Sequence, residues 1–178
     1  MENTKILSKH KLYGGEIFDL KQYKVELPNK GRAEWDVVVH NGAAVIVAVT
    51  KQNEIVMVRQ YRPGTEEVML ELPAGRLDSV VEDREHCALR ELREETGYTA
   101  GKIKLLLTLH PLPAYCTEEV SIFLAEDLEA GKQDLDDDEF VDVELHKLPC
   151  LLDMIANGGI TTMSAVIGIL YYARVTGE

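Results

Sequence analysis

Between residues 35 and 72 the chain switches repeatedly between apolar runs and short polar breaks, a pattern that predicts β-structure. Two strands are predicted before it, over 5–8 and 17–26, with Tyr13-Gly14-Gly15 supplying a turn between them. An alternating piece over 35–40 ends at Asn41-Gly42, a turn dipeptide. The runs 43–50 and 55–61, separated by Lys51-Gln52-Asn53-Glu54, predict a hairpin, and a short strand over 68–72 runs into Pro73-Ala74-Gly75. From about 83 to 96 the period becomes helical, with Cys87, Ala88 and Leu92 on one side, charges on the other, and Gly97 where a left-handed cap belongs. Strands follow near 102–110, 120–126 and 140–145, then a short helix over 148–156. A last helix starts in the cap region Thr161-Thr162-Met163-Ser164 and is expected to bury Met163, Val166, Ile167 and Leu170. Strands, one helix, strands, then helices predict an α+β fold.

Charge narrows the function classes. The 178 residues carry 19 Lys and Arg against 31 Asp and Glu, a net charge of −12, which argues against non-specific binding to nucleic acid or anionic membranes. With 46% hydrophobic and 28% charged residues, disorder, collagen and a disulfide-stapled mini-protein are excluded. Cys87, Cys116 and Cys150 form no CxxC pair and read as free thiols of a reducing compartment. The N-terminus lacks an apolar signal region, and the apolar stretch 163–172 falls short of the ~20 residues needed to cross a bilayer. A cytoplasmic location is expected.

The richest stretch runs from Gly75 to Tyr98. At about 100° per residue, Glu94 lies about 300° and Glu95 about 40° around the helix from Glu91, so three carboxylates share one face. Like charges at these spacings oppose helix formation, and a hard divalent cation such as Mg²⁺ or Mn²⁺ reverses the sign. The competing reading is a solvated acidic face. Against it stands the whole constellation: a glycine loop before the helix, Arg90 beside the acids, Glu82 two turns upstream and Gly97 at the end.

These residues resemble the signature of the Nudix hydrolases, a glycine followed by E-x7-R-E-U-x-E-E-x-G-U with U apolar. Glu82, seven residues, Arg90-Glu91-Leu92, Arg93, Glu94-Glu95, Thr96 and Gly97-Tyr98 fill it. Six residues rather than five separate Gly75 from Glu82, so the loop carries one extra residue. The chain is also similar to the ADP-ribose pyrophosphatase branch of that family, in Arg59-Gln60-Tyr61-Arg62-Pro63, in Glu71-Leu72-Pro73-Ala74-Gly75, at Pro113 between His110 and Glu119, and in Asp138-Glu139-Phe140-Val141-Asp142-Val143. The resemblance spans about 42–172. It implies a Nudix-type α/β/α sandwich with a mixed central sheet over 41–178, preceded by an antiparallel strand region over 1–40.

It further implies that Glu91, Glu94, Glu95 and the Ala74 carbonyl hold Mg²⁺ on a diphosphate, with Arg90 and Glu82 bracing the acids. In similar enzymes a loop carboxylate orients or deprotonates the attacking water; Glu139 is the first choice here and Asp138 the second. Arg62 is the better clamp for phosphate or ribose, with Arg59 on the opposite strand face. Trp35 offers either a purine platform or core packing, Tyr13 and Phe18 are substitutes, and Pro113 marks a substrate-contacting loop. Glu71 either accepts from base or ribose or pairs at a strand edge. His110 and Cys116 show no orienting third group and His86 reads as a surface residue, so none is assigned chemistry. A homodimer is implied through the N-terminal strands. The expected activity is Mg²⁺-dependent pyrophosphate hydrolysis of a small nucleotide-sugar, ADP-ribose foremost, giving AMP and ribose 5-phosphate. The alternatives are another NDP-sugar, a dinucleoside polyphosphate, or a Nudix module that senses ADP-ribose without hydrolysing it.

Overall fold

The computed structural model describes residues 4–177. The chain divides into two compact units, 1–42 with 110–119, and 43–109 with 120–178. In the first, β1 (Lys5–Gly14), β2 (Asp19–Glu26) and β3 (Arg32–Val39) form an antiparallel sheet in sequence order. The 110–119 loop joins this sheet through Val38 N–H to the Tyr115 carbonyl at 2.8 Å and Thr117 N–H to the Val38 carbonyl at 2.9 Å. Ile6, Leu7, Leu12, Tyr13, Phe18 and Trp35 are all substantially exposed.

The second unit holds β4 (Ala43–Ala48), β5 (Glu54–Arg62), β6 (Glu67–Glu71), β7 (Ala74–Arg76), α1 (Arg84–Thr96), β8 (Thr99–Leu109), β9 (Val120–Glu129), β10 (Asp142–Lys147), α2 (Leu148–Ala156) and α3 (Met163–Thr176). One mixed sheet runs β7-β4-β9-β8, with β4 parallel to β9, and an antiparallel sheet runs β10-β5-β6. The expected hairpin of 43–50 and 55–61 is a correction. The turn is there, closed by Thr50 N–H to the Glu54 carbonyl at 2.9 Å and a single Val49–Ile55 bridge, but the two strands then diverge into different sheets. Both are apolar on both faces, so each needs covering on two sides, which a two-stranded ribbon cannot supply.

Neighbouring residues of β4 serve opposite cores. Ala44, Ile46 and Ala48 pack with Cys87, Ala88 and Leu92 of α1, while Val45 and Val47 pack with Leu151 of α2 and Ala165 and Ile169 of α3. The result is the expected α/β/α sandwich. The α3 face is a second, partial correction: Val166 and Ile167 are partly buried against the core as expected, but Met163 and Leu170 are exposed, and Ala165, Gly168, Ile169 and Ala173 are the buried residues. The small residues let the helix approach closely; a Cβ on Gly168 would sit 2.7 Å from Leu72 Cδ1. The last predicted strand begins at Asp142, leaving Phe140 in a loop and 82% exposed. Among the described residues no helix is long and apolar enough to cross a membrane.

Candidate active site

Local sequence fixes both ends of α1. The Asp83 side chain accepts from the His86 backbone N–H at 2.9 Å, capping the start. At the end Gly97 adopts φ 75°, and its N–H donates to the Arg93 carbonyl at 2.8 Å. Cys87, Ala88 and Leu92 anchor the inner face in the sheet. Cys87 also packs its thiol 3.6 Å from the Arg76 carbonyl, and burial pushes that thiol up to about 12, so it is inert at neutral pH.

Arg90 organises the acids. Its Nη1 donates to Glu91 Oε1 at 2.6 Å and Glu94 Oε2 at 3.0 Å, its Nη2 donates to the Arg76 carbonyl at 3.2 Å, and its Nε lies 3.5 Å from Glu82 Oε1. Burial opposes the guanidinium charge, but Glu91 and Glu94 outweigh it and raise its pKa. Glu82 also accepts from the Asp78 N–H at 2.5 Å, closing the loop that carries the extra residue and leaving Val80 and Val81 exposed. His86 lies on the surface, 3.6 Å from Glu82.

Glu95 is 5% exposed, accepts from the Ala74 N–H at 2.9 Å and lies 3.5 Å from Gln60 Nε2. Burial, with the charges of Glu91 and Glu139, raises its pKa to about 8 against the Ala74 bond and Arg62; burial likewise raises Glu91 to about 6. Gly75 is required by space: a Cβ there would fall 1.9 Å from the Glu91 carboxyl carbon. Among the described residues no three acidic, His or Cys side chains converge tightly enough to ligate one ion, because Arg90 lies between Glu91 and Glu94. The donor chemistry nevertheless fits a hard divalent cation. The groups are carboxylate oxygens, and burial has driven two of them toward protonation, a cost that a cation relieves.

Alternation along β5 sorts the remaining candidates. Val56 packs on the α1 side and Met57 on the α2 and α3 side, so Gln60 and Arg62 share the α1 face and Arg59 the other. Arg62 pairs with the buried Glu71, with Nε and Nη2 both 2.7 Å from Oε2. Arg59 instead donates to Glu144 Oε1 at 2.6 Å, on the strand face away from Glu95. Glu139 donates its N–H to the Asp136 carbonyl at 3.0 Å and is among the charges felt by Glu91 and Glu95. Trp35 and Pro113 belong to the first unit. So do His110, 3.6 Å from Glu119, and Cys116, whose sulfur accepts from the Glu118 N–H. Sequence reasoning missed Gln60 and Gln133. Two-residue alternation from Arg62 points to Gln60 in hindsight; nothing local marks Gln133, which donates to the Glu95 carbonyl at 2.6 Å.

An α/β/α sandwich with an arginine-braced acidic helix and a glycine ledge against it defines a recognisable class. The NUDIX domain model matches residues 39–161. The chain belongs to the Nudix family. It is 42% identical over 141 residues to an ADP-ribose pyrophosphatase of Bacillus subtilis (strain 168), covering 78% of this chain and 76% of that protein. It is 35% identical over 169 residues to a methanol dehydrogenase activator of Bacillus methanolicus, covering 94% and 91%. In fold it resembles the crystal structure of an ADP compounds hydrolase, at TM-score 0.86 and 22% identity over 99% of this chain and 97% of that one.

Proposed function

We propose that this protein hydrolyses the pyrophosphate bond of a nucleoside diphosphate linked to a second moiety, with ADP-ribose the foremost substrate and AMP and ribose 5-phosphate the products. The observation that carries the reading is the buried Glu95, bonded to the Ala74 N–H beside an Arg90-braced Glu91 and Glu94. The B. subtilis relative, named for ADP-ribose, supports the choice of substrate.

Glu91, Glu94, Glu95 and the Ala74 carbonyl are the groups that would hold a divalent metal, Mg²⁺ first and Mn²⁺ as a substitute. Bound there, such an ion neutralises diphosphate charge and lowers the pKa of water. Arg90 and Glu82 keep the acids in register. Glu139, with Asp138 as second choice, takes the proton of the attacking water. Arg62, held by Glu71, offers its remaining N–H groups to phosphate or ribose oxygen. Trp35, on β3 and 46% exposed, and Pro113 are the substrate-contact candidates that the first unit carries. We place the protein in the cytoplasm as a homodimer; a monomer in light scattering at micromolar concentration removes the latter.

ADP-ribose, GDP-mannose, NADH, diadenosine polyphosphates and oxidised dNTPs, assayed with and without Mg²⁺, test the reading. Metal-dependent release of AMP, fastest from ADP-ribose, is the expected result. Binding of ADP-ribose without turnover would point to a sensing module, and preference for another compound would move the substrate assignment.

A further inference from the structure

The last turn of a helix leaves carbonyls without intrahelical partners. At the end of α1 the chain returning from β9 supplies donors to two of them. The Asp134 N–H donates to the Glu94 carbonyl at 3.0 Å, and the Gln133 side chain donates to the Glu95 carbonyl at 2.6 Å. Gln133 Nε2 donates a second time, to the Val141 carbonyl at 3.0 Å. One amide nitrogen thus joins the helix end to the residue just before β10, and the chain between Gln133 and Val141 is a closed excursion with its two ends tied together. Within it lies only a turn, drawn in by the Glu139 N–H to the Asp136 carbonyl at 3.0 Å and the Asp136 N–H to Glu139 Oε2 at 3.4 Å. The docking is tight: a Cβ on Gly97 would meet the Lys132 carbonyl carbon at 2.8 Å and the Gln133 nitrogen at 3.0 Å. Arg93 adds an exposed pair with Asp134 at 3.0 Å.

We propose that Gln133 is a positioning residue: by bridging the carbonyls of Glu95 and Val141 it fixes the acidic loop 134–140, and with it the Glu139 carboxylate, relative to the acids of α1. This rests on the assignment of Glu139 to the attacking water. A neutral amide suits the place, because both of its hydrogens can be donated to carbonyl oxygens while no charge is added among Glu91, Glu94 and Glu95. A loop carboxylate left to sample many orientations is productive only for the fraction of time it is aligned. Loss of the bridge therefore falls on kcat rather than on substrate binding.

The test uses the full chain with Gln133→Met, which keeps length and packing but removes both donors, and Gln133→Asn, which keeps the amide one methylene short. Kinetics on ADP-ribose and backbone hydrogen exchange are measured on each, beside Glu139→Gln and the Gln133→Met/Glu139→Gln double variant. The expected result for Gln133→Met is a kcat lower by about 10- to 100-fold with KM little changed. Exchange protection is lost over 134–140 but kept over α1, and Gln133→Asn falls between it and the parent. In the double variant the bridge adds little to the loss already caused by Glu139→Gln. An unchanged kcat in a folded Gln133→Met, or exchange that rises equally across α1, overturns the proposal; if Gln133→Met does not fold, the same two readings on Gln133→Asn decide it. Near-normal turnover of Glu139→Gln instead defeats the base assignment, and the exchange data then report on the bridge alone.

Discussion

The Ala74 backbone N–H donates to Glu95 Oε2 at 2.9 Å, so the short strand β7 and the helix α1 meet through a side chain proposed to bind metal. Glu95→Gln keeps a carbonyl oxygen for that N–H and removes only the capacity to ionise and hold a cation. Turnover is expected to drop at least about 100-fold while the thermal midpoint stays at or above that of the parent, since the amide mimics the protonated acid that burial favours. Steady-state assays paired with circular dichroism melts check this, and near-normal turnover would end the metal role.

Acidity provides a second test. Burial holds Glu91 at about 6 and Glu95 at about 8, above the ordinary 4.5. The unfolded chain loses these protons near 4.5 and the folded protein only later. Without metal, the stability contributed by these two groups is therefore fullest below pH 4.5 and declines as pH rises through 6 and then 8. Mg²⁺ competes with the retained protons, so its stabilising effect is expected to be larger at pH 8 than at pH 6. Melting curves in EDTA and in Mg²⁺ across that range decide it; a metal-induced shift independent of pH would contradict the raised acidities.

Gly75→Ala asks for one methyl where the Glu91 carboxylate already stands, 1.9 Å away. Glu91 must swing out and drop its 2.6 Å bond to Arg90. The expected outcome is loss of most activity with a destabilisation of about 1–3 kcal/mol, as for overpacked sites. Chemical denaturation and the ADP-ribose assay read the two effects separately, and a fully active Gly75→Ala would mean that the ledge moves freely.

For Arg62 the structural and functional roles separate in a cycle. Arg62→Ala strands the buried Glu71 carboxylate and is expected to cost about 1–3 kcal/mol while raising KM. Adding Glu71→Gln neutralises the stranded acid, recovering stability but not KM. Recovery of both would show that Arg62 serves the fold alone.

The helix was legible because two independent local signals agree on it. Asp83 and Gly97 occupy its caps, and Cys87, Ala88 and Leu92 mark its buried side. The acid and arginine spacing then identified the family. What could not be read were relationships set by distant partners. Val45 and Ile46 look alike in sequence, yet they enter different cores because β4 is covered on both faces. The α3 face was only partly read because the small residues Gly168 and Ala165 let the helix pack close around Ile169, while Met163 and Leu170 turn outward. Gln133 carries no motif at all, since its importance comes from two carbonyls that only folding brings together.

Because adjacent residues of β4 feed opposite cores, shifting that strand by one position would present every side chain to the wrong half of the molecule. The rim between Gly75 and Glu82 is under no such discipline, and the additional residue there merely swells a turn that Glu82 still closes onto Asp78. A change of length in that loop therefore leaves the phase of β4, and with it both cores, untouched.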